Sequence, residues 1–261
     1  MIRVNQNGET EIALINIFKA VQGEGPEAGV GATVFIRTHL CNLRCPWCDT
    51  QESWTNENLS KLYKERNNWE SPIKWLTAKQ IFDEVENLEK TYYNKSICLT
   101  GGEPLMEQNK EFMLNELLPL FTEANYSIDI ETNGAIDYTE YKQKFNNCKI
   151  IDSCGRRQGV YFSMDWKMPS SKMNSKMINT NLQLLNEFDI VKVVMTDSEE
   201  DWNELERLCN LNLKCPIYIS PCFNQLELSK IPEFILKHND KNLKAQIQLH
   251  KIYYSPTTKD V

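Results

Sequence analysis

The chain has 261 residues, 41% of them hydrophobic and 25% charged, with a formal net charge of −7. That length accommodates one large core or two small ones, and the acidic balance excludes non-specific binding to nucleic acid or an acidic membrane, which depends on clustered Lys and Arg. A small-molecule ligand is expected, in a soluble cytoplasmic protein, because the sequence shows neither a basic-then-apolar leader nor an apolar run of membrane-spanning length.

Strand candidates open the chain at 14–19 (LINIFK) and 33–37 (TVFIR), followed by a cysteine-bearing loop, LCNLRCPWCDT, at 40–50. The stretch 51–75 is rich in Asn, Glu, Lys and Trp and reads as an inserted loop or short helix over a surface. Its Trp54, Trp69 and Trp75 fit ordinary packing as well as a cover over a site. A helix is expected over 78–90, with Ile81, Phe82, Val85 and Leu88 on one face and a capping box from Thr77 and Gln80. Strands follow at 96–100, 127–131, 160–165, 189–195, 216–220 and 245–249. A second clear helix lies at 199–211, N-capped by Ser198 and presenting Trp202, Leu205, Leu208 and Leu211. With no linker or internal repeat, residues 1–261 are expected to form one domain with the insertion at about 51–75. Such alternation predicts an α/β fold, a parallel sheet covered by helices that is open or curled towards a barrel. Its site belongs at the carboxyl ends of the strands. The unusual residues fall there: TGGEP at 100–104, ETNG at 131–134, DWK at 165–167 and HK at 250–251.

The nine cysteines, an odd count, read as reduced thiols, metal ligands or redox groups instead of a disulfide framework. Three of them, Cys41, Cys45 and Cys48, stand in a C-x3-C-x2-C pattern. A structural zinc takes four protein ligands, so His39 or Asp49 would have to complete it. Free packing thiols fit poorly beside the polar and loop-forming Asn42, Arg44, Pro46 and Asp49. A cubane iron–sulfur cluster ordinarily takes four thiolates, so three would leave one iron open. The other six, Cys98, Cys148, Cys154, Cys209, Cys215 and Cys222, lack the close pairs of ferredoxins and are expected to be structural.

The pattern resembles the signature of the radical SAM superfamily, whose open iron is chelated by the amino and carboxylate groups of S-adenosylmethionine (SAM). Trp47 fits the aromatic that flanks the adenine there, and TGGEP resembles the superfamily's GGE motif. Longer blocks resemble the 7-carboxy-7-deazaguanine synthase (QueE) family in the same order: FKAVQGEGPEAGVGATVFIRTHLCNLRCPWCDT (18–50), IETNG (130–134), DWKMPSSKM (165–173) and QLHKIYYSP (248–256). The likeness covers nearly the whole chain except 51–75.

The resemblance implies a partial (β/α) barrel of the radical SAM type, modified and open on one side. It implies ring contraction of 6-carboxy-5,6,7,8-tetrahydropterin to 7-carboxy-7-deazaguanine with loss of ammonia, in queuosine or deazapurine biosynthesis. A radical generated from SAM by a reduced 4Fe-4S cluster would take a hydrogen from the substrate, and SAM would be regenerated. Carried over, Cys41, Cys45 and Cys48 hold the cluster and Thr50 ligates Mg2+. Gln22, Glu24, Arg37, Thr100 and His250 bind the pterin, and Trp47, Gly102, Glu103, Thr132, Asn133, Ser163 and Lys167 line the SAM site. Taken alone, Gly101-Gly102 could be a turn, Lys167 a solvated charge and His250 a structural histidine. The family's serine-proline before the KMPSS lysine is Asp165-Trp166 here, so Asp165 could itself contribute near the ribose. An electron donor such as flavodoxin or ferredoxin, a homodimer, and a site role for the tail beyond Tyr254 are also implied. The rival readings are a glycyl-radical enzyme activase, which leaves QGEGP, CDT and HK unexplained, and a non-enzymatic iron–sulfur electron carrier.

Overall fold

The computed structural model describes residues 1–26, 31–54, 73–89, 95–151, 156–254 and 258. Eleven strands form one sheet: β1 (Ile2–Val4), β2 (Thr10–Val21), β3 (Ala32–Thr38), β4 (Lys74–Leu76), β5 (Ser96–Gly101), β6 (Ser127–Thr132), β7 (Lys149–Ile150), β8 (Arg157–Asp165), β9 (Ile190–Met195), β10 (Ile217–Pro221) and β11 (Leu243–Ala245). Its order is β1-β2-β3-β5-β6-β8-β9-β10-β11, with β4 on β2 and β7 on β8, and the path does not close on itself among the described residues. From β3 to β11 that path is parallel, whereas β1, β2, β3 and β4 pair antiparallel. The expectation of a parallel sheet therefore holds for the body of the fold and fails at its start. There a long β2 folds back on β3, and the end of the inserted stretch returns to it as β4.

The parallel strands have two unlike faces, because their side chains alternate with period two. One face is a set of in-register apolar rows: Val34, Ile97, Ile128 and Val160, then Ile36, Leu99, Ile130 and Phe162, then Met164, Val191 and Ile217. These rows share one core with Ile81, Val85, Phe121, Leu205, Leu208 and Phe234 from the covering helices. The other face carries Phe35, Cys98, Asp129 and Tyr161 in one row, Arg37 and Thr100 above it, Glu131 beside Ser163, and Asp165 beside Lys192 and Tyr218. A core would not tolerate so many charges, so this face lines a lumen.

The helices are α1 (Ala78–Leu88), α2 (110–123, with a π turn at Met113–Leu117), α3 (Thr139–Lys144), α4 (Asn179–Leu184), α5 (Glu199–Cys209), α6 (Lys230–Lys237) and α7 (His250–Tyr253). Thr77 and Gln80 form the expected capping box on α1, and the Ser198 side chain accepts the Asp201 amide on α5. Two expectations are corrected. Helix α5 stops at Cys209, which leaves Leu211 exposed. The alternation in AQIQL (245–249) mimics a strand, yet β11 ends at Ala245 because Gln246 and Gln248 turn inward to bond Gly25 and Glu24. Much of the inserted stretch (55–72, including Trp69), Cys154, and all of the tail beyond Tyr254 except Thr258 lie outside the described residues. Among those described, no helix is long and apolar enough to cross a membrane.

Phe121 is fully buried and meets Tyr126 edge-on at 5.1 Å and Phe82 at 5.2 Å. Phe121→Ala is expected to cost about 3–5 kcal/mol in urea unfolding, against about 1 kcal/mol for Thr77→Ala, which removes only the α1 cap. Equal costs would show that the core does not close where these contacts place it.

Candidate active site

The cysteine loop leaves β3 at the carboxyl end of the sheet and is gripped by the strand end beside it. The amides of Gly102 and Glu103 donate to the carbonyls of Thr38 and Leu40, at 3.0 and 2.7 Å. A β-carbon on Gly102 would stand 1.8 Å from the Leu40 oxygen, so only glycine allows this approach. Leu43 anchors the loop in the core, and Leu40 enters it with φ 76°. Arg44 donates to the carbonyls of Cys41, Leu43 and Trp54 at 2.8, 2.7 and 3.0 Å, tying the loop to the start of the inserted stretch.

Glu103 is fully buried and braces two strand ends. One oxygen accepts the Leu105 amide and the Thr132 hydroxyl, both at 2.9 Å, and the other accepts the Asn133 amide at 2.7 Å. Burial pushes its carboxyl up to about 7, against the pull of these three donors. Asn133 carries the connection onward, donating to Asn42 at 2.7 Å and lying 3.7 Å from the Cys41 sulfur. Its own oxygen accepts the Ala135 amide at 3.0 Å, and Gly134 has φ +71°, so the chain makes a tight turn here.

The donor set suits a cluster better than a single ion. Among the described residues no three His, Cys, Asp or Glu side chains come together as one ion requires, and of the two residues that could complete a zinc site His39 is fully buried and Asp49 exposed. A cluster takes one thiolate per iron and so spreads its ligands. Burial pushes Cys41 up to about 11 and raises Cys45, so these thiols ionise only opposite added positive charge, which irons provide. The Cys41 sulfur already receives the Leu43 amide at 3.4 Å. Lys167 stands by Cys45 and Cys48; burial opposes its charge, but its ion pair with Asp165 and the thiols raise its pKa. Thr50 is a hard oxygen donor at the loop's end, 3.6 Å from the Cys48 sulfur and 3.4 Å from the Gly101 carbonyl, and Trp47 is half-buried in the same turn. Five of the other cysteines, Cys98, Cys148, Cys209, Cys215 and Cys222, are buried free thiols.

Below the loop the polar face of the sheet gathers the expected pterin-binding side chains. Gln22 is buried, accepts the Glu24 amide at 3.3 Å and bonds Cys98. Glu24 reaches Lys192 at 2.7 Å and accepts from Gln248 at 2.8 Å. Arg37 lies 4.8 Å over the Phe18 ring, which stacks on Phe35, and Thr100 donates to Glu131 at 2.8 Å. The hydroxyl of Ser163 is buried with no hydrogen-bond partner among the described residues, and a β-carbon on Gly25 would come within 3.5 Å of it. That orphaned oxygen beside a glycine cradle is what an absent polar ligand would satisfy. The fold thus brings the expected site residues to one end and one face of the sheet, with His250 opening α7. Lys192, Glu131 and Asp129 carry no role in the sequence reading. Their signal was present, as single charges inside SIDIE and IVKVVM strands.

The model of the Radical SAM superfamily matches residues 35–152. The chain is 31% identical to the 7-carboxy-7-deazaguanine synthase of Clostridium acetobutylicum over 250 residues, 95% of this chain and 98% of that one. It is 26% identical to the one from Thermoplasma acidophilum, over 92% and 96% of the two chains. In fold it is similar to the crystal structure of QueE from Escherichia coli, with a TM-score of 0.64 at 18% identity over 90% of this chain and 94% of that one.

The Glu103 brace makes a signed prediction. A carboxyl raised from 4.5 to about 7 favours the folded state while protonated, so stability falls as pH rises between those values. Unfolding midpoints measured across that window are expected to decline in the wild type and to stay level in Glu103→Gln. A midpoint that rises with pH would show the carboxylate to be the favoured form.

Proposed function

The chain belongs to the 7-carboxy-7-deazaguanine synthase family of radical SAM enzymes, and from that premise we propose that it converts 6-carboxy-5,6,7,8-tetrahydropterin into 7-carboxy-7-deazaguanine and ammonia, a carbon–nitrogen lyase reaction assisted by Mg2+. The observation that carries this reading is the lumen itself. Gln22, Glu24, Arg37 and Thr100 converge on the polar face of the sheet, directly beneath the loop of Cys41, Cys45 and Cys48.

Cys41, Cys45 and Cys48 hold a 4Fe-4S cluster, and with SAM it supplies hydrogen-atom abstraction from the substrate. The chain's own work is binding, orientation and exclusion of water. Glu24 and Gln22 read the amino and lactam edge of the pterin, and Arg37 takes its carboxylate. The Thr100 hydroxyl, fixed on Glu131, and His250 complete that pocket. Ser163, Thr132, Asn133 and Lys167 line the SAM side with Trp47 and the backbone at Gly102. Glu103 acts there through Thr132 and Asn133, both of which it holds. Thr50 gives Mg2+ one hard oxygen ligand. The enzyme works in the cytoplasm as a homodimer, takes its electron from a flavodoxin or ferredoxin, and serves queuosine or deazapurine synthesis.

The test is anaerobic incubation of iron–sulfur-reconstituted protein with SAM, Mg2+, reductant and 6-carboxy-5,6,7,8-tetrahydropterin, read by mass spectrometry. 7-Carboxy-7-deazaguanine is expected from the wild type and not from Cys45→Ala. Slow 5′-deoxyadenosine without that product would refute the substrate, and intact SAM beside a reducible cluster would favour an electron carrier. Thr50→Val is expected to keep its iron and lose the stimulation by Mg2+; unchanged stimulation would remove Thr50 from the Mg2+ site.

A further inference from the structure

Lys192 sits in the middle of β9, where the apolar face is filled by Val191 and Val193, and its own side chain enters the lumen with 7% exposure. The ammonium stands 2.7 Å from Glu24 and 3.3 Å from Glu131, and Asp165 on β8 is its strand neighbour. The second oxygen of Glu131 accepts the Thr100 hydroxyl at 2.8 Å, and the second oxygen of Glu24 accepts Gln248 at 2.8 Å. One unbroken line of contacts, Thr100–Glu131–Lys192–Glu24–Gln248, therefore crosses the lumen through five separate segments of the chain.

We propose that Lys192 is a positioning residue for the substrate: by bridging Glu24 and Glu131 it keeps both carboxylates in the lumen and aims Glu24 at the pterin's donor edge. The inference rests on the substrate reading above. Its physical basis is the cost of the arrangement. Buried charges lose hydration, and replacing a buried ion network by packed apolar side chains is often neutral or stabilising. Valines already fill the other face of β9, so the fold has no need of a lysine on this one. A fixed anionic acceptor does need one, because two carboxylates facing each other without a cation take up a proton or swing apart. With the cation present, Glu24 is held in place between Lys192 and Gln248, ready for the two N–H donors that an aminopterin edge presents side by side.

The test is a charge cycle on the reconstituted holoenzyme, with 6-carboxy-5,6,7,8-tetrahydropterin as the probe. Lys192→Met is expected to raise KM for the pterin roughly 10- to 100-fold, the size of a lost contact between charged partners. Its iron content and cluster spectrum should match the wild type. Lys192→Met/Glu131→Gln, which removes the unbalanced charge, is expected to recover most of that loss, and Lys192→Arg, which keeps the cation, to fall between. Should Lys192→Met fail to fold, the Arg and double variants carry the comparison, since recovery by removing Glu131's charge is not expected of a lysine that only packs. A wild-type KM in Lys192→Met, or a double variant no better than the single one, overturns the proposal. A wild-type protein that leaves the pterin unconverted overturns the substrate reading instead.

Discussion

Much of the site hangs on the buried carboxylate of Glu103. It joins the ends of β5 and β6 through the Leu105 amide, the Thr132 hydroxyl and the Asn133 amide, while its own amide holds the Leu40 carbonyl of the cysteine loop. Such a group is costly to bury and becomes tolerable only when its lone pairs are filled. It therefore fixes the distances among its partners more strictly than apolar packing would. The cysteine loop inherits that order through Asn133, whose side chain meets both Asn42 and Cys41.

A second ordering principle runs down the lumen. Lys167 stands by the thiols, Asp165 pairs with it, Lys192 follows, and Glu24 and Glu131 come last. Signs alternate from the cysteine loop to the pocket, so each buried charge has an opposite neighbour, which is the condition under which ionic groups survive in a low dielectric. The arrangement also separates two environments. A cationic one suits thiolates at the rim, and an anionic one suits a donor-rich heterocycle beneath it.

The sequence was most legible where one cause acted alone. The helices at 78–88 and 199–209 and most strand centres follow from apolar period and caps, and the structure returns them within a few residues. Reading failed where two causes give one pattern. Gln246 and Gln248 alternate like a strand, but they alternate because they bond the 24–25 turn. At Gly102 two causes coincide without conflict, since the residue matches a SAM-binding motif and its lack of a side chain is also required by the Leu40 carbonyl. The pairing of Lys192 with Glu24 has no local signature, since register across a sheet and the path of a distant turn decide it. The charges themselves were visible inside SIDIE and IVKVVM, and there an isolated charge in an apolar strand was the clue to follow.

The two bonds that the C-terminal segment makes to the 24–25 turn join residues 221 and 224 positions apart. Closing so long a loop costs chain entropy that nearby contacts do not, and topologies of this kind complete late in folding. The β2–β3 hairpin lies within the first forty residues, and the cysteine loop has its partners Gly102, Glu103 and Asn133 once the chain has reached β6, so both can order while the rest of the chain is still being made. The pocket cannot. A chain interrupted before Gln246 would carry the cysteines and the brace at Glu103, yet lack the partners that hold Gly25 and Glu24. The order of synthesis thus separates the cysteine loop from these lumen contacts in time, and Gly25 and Glu24 gain their partners only after the chain has reached Gln246 and Gln248.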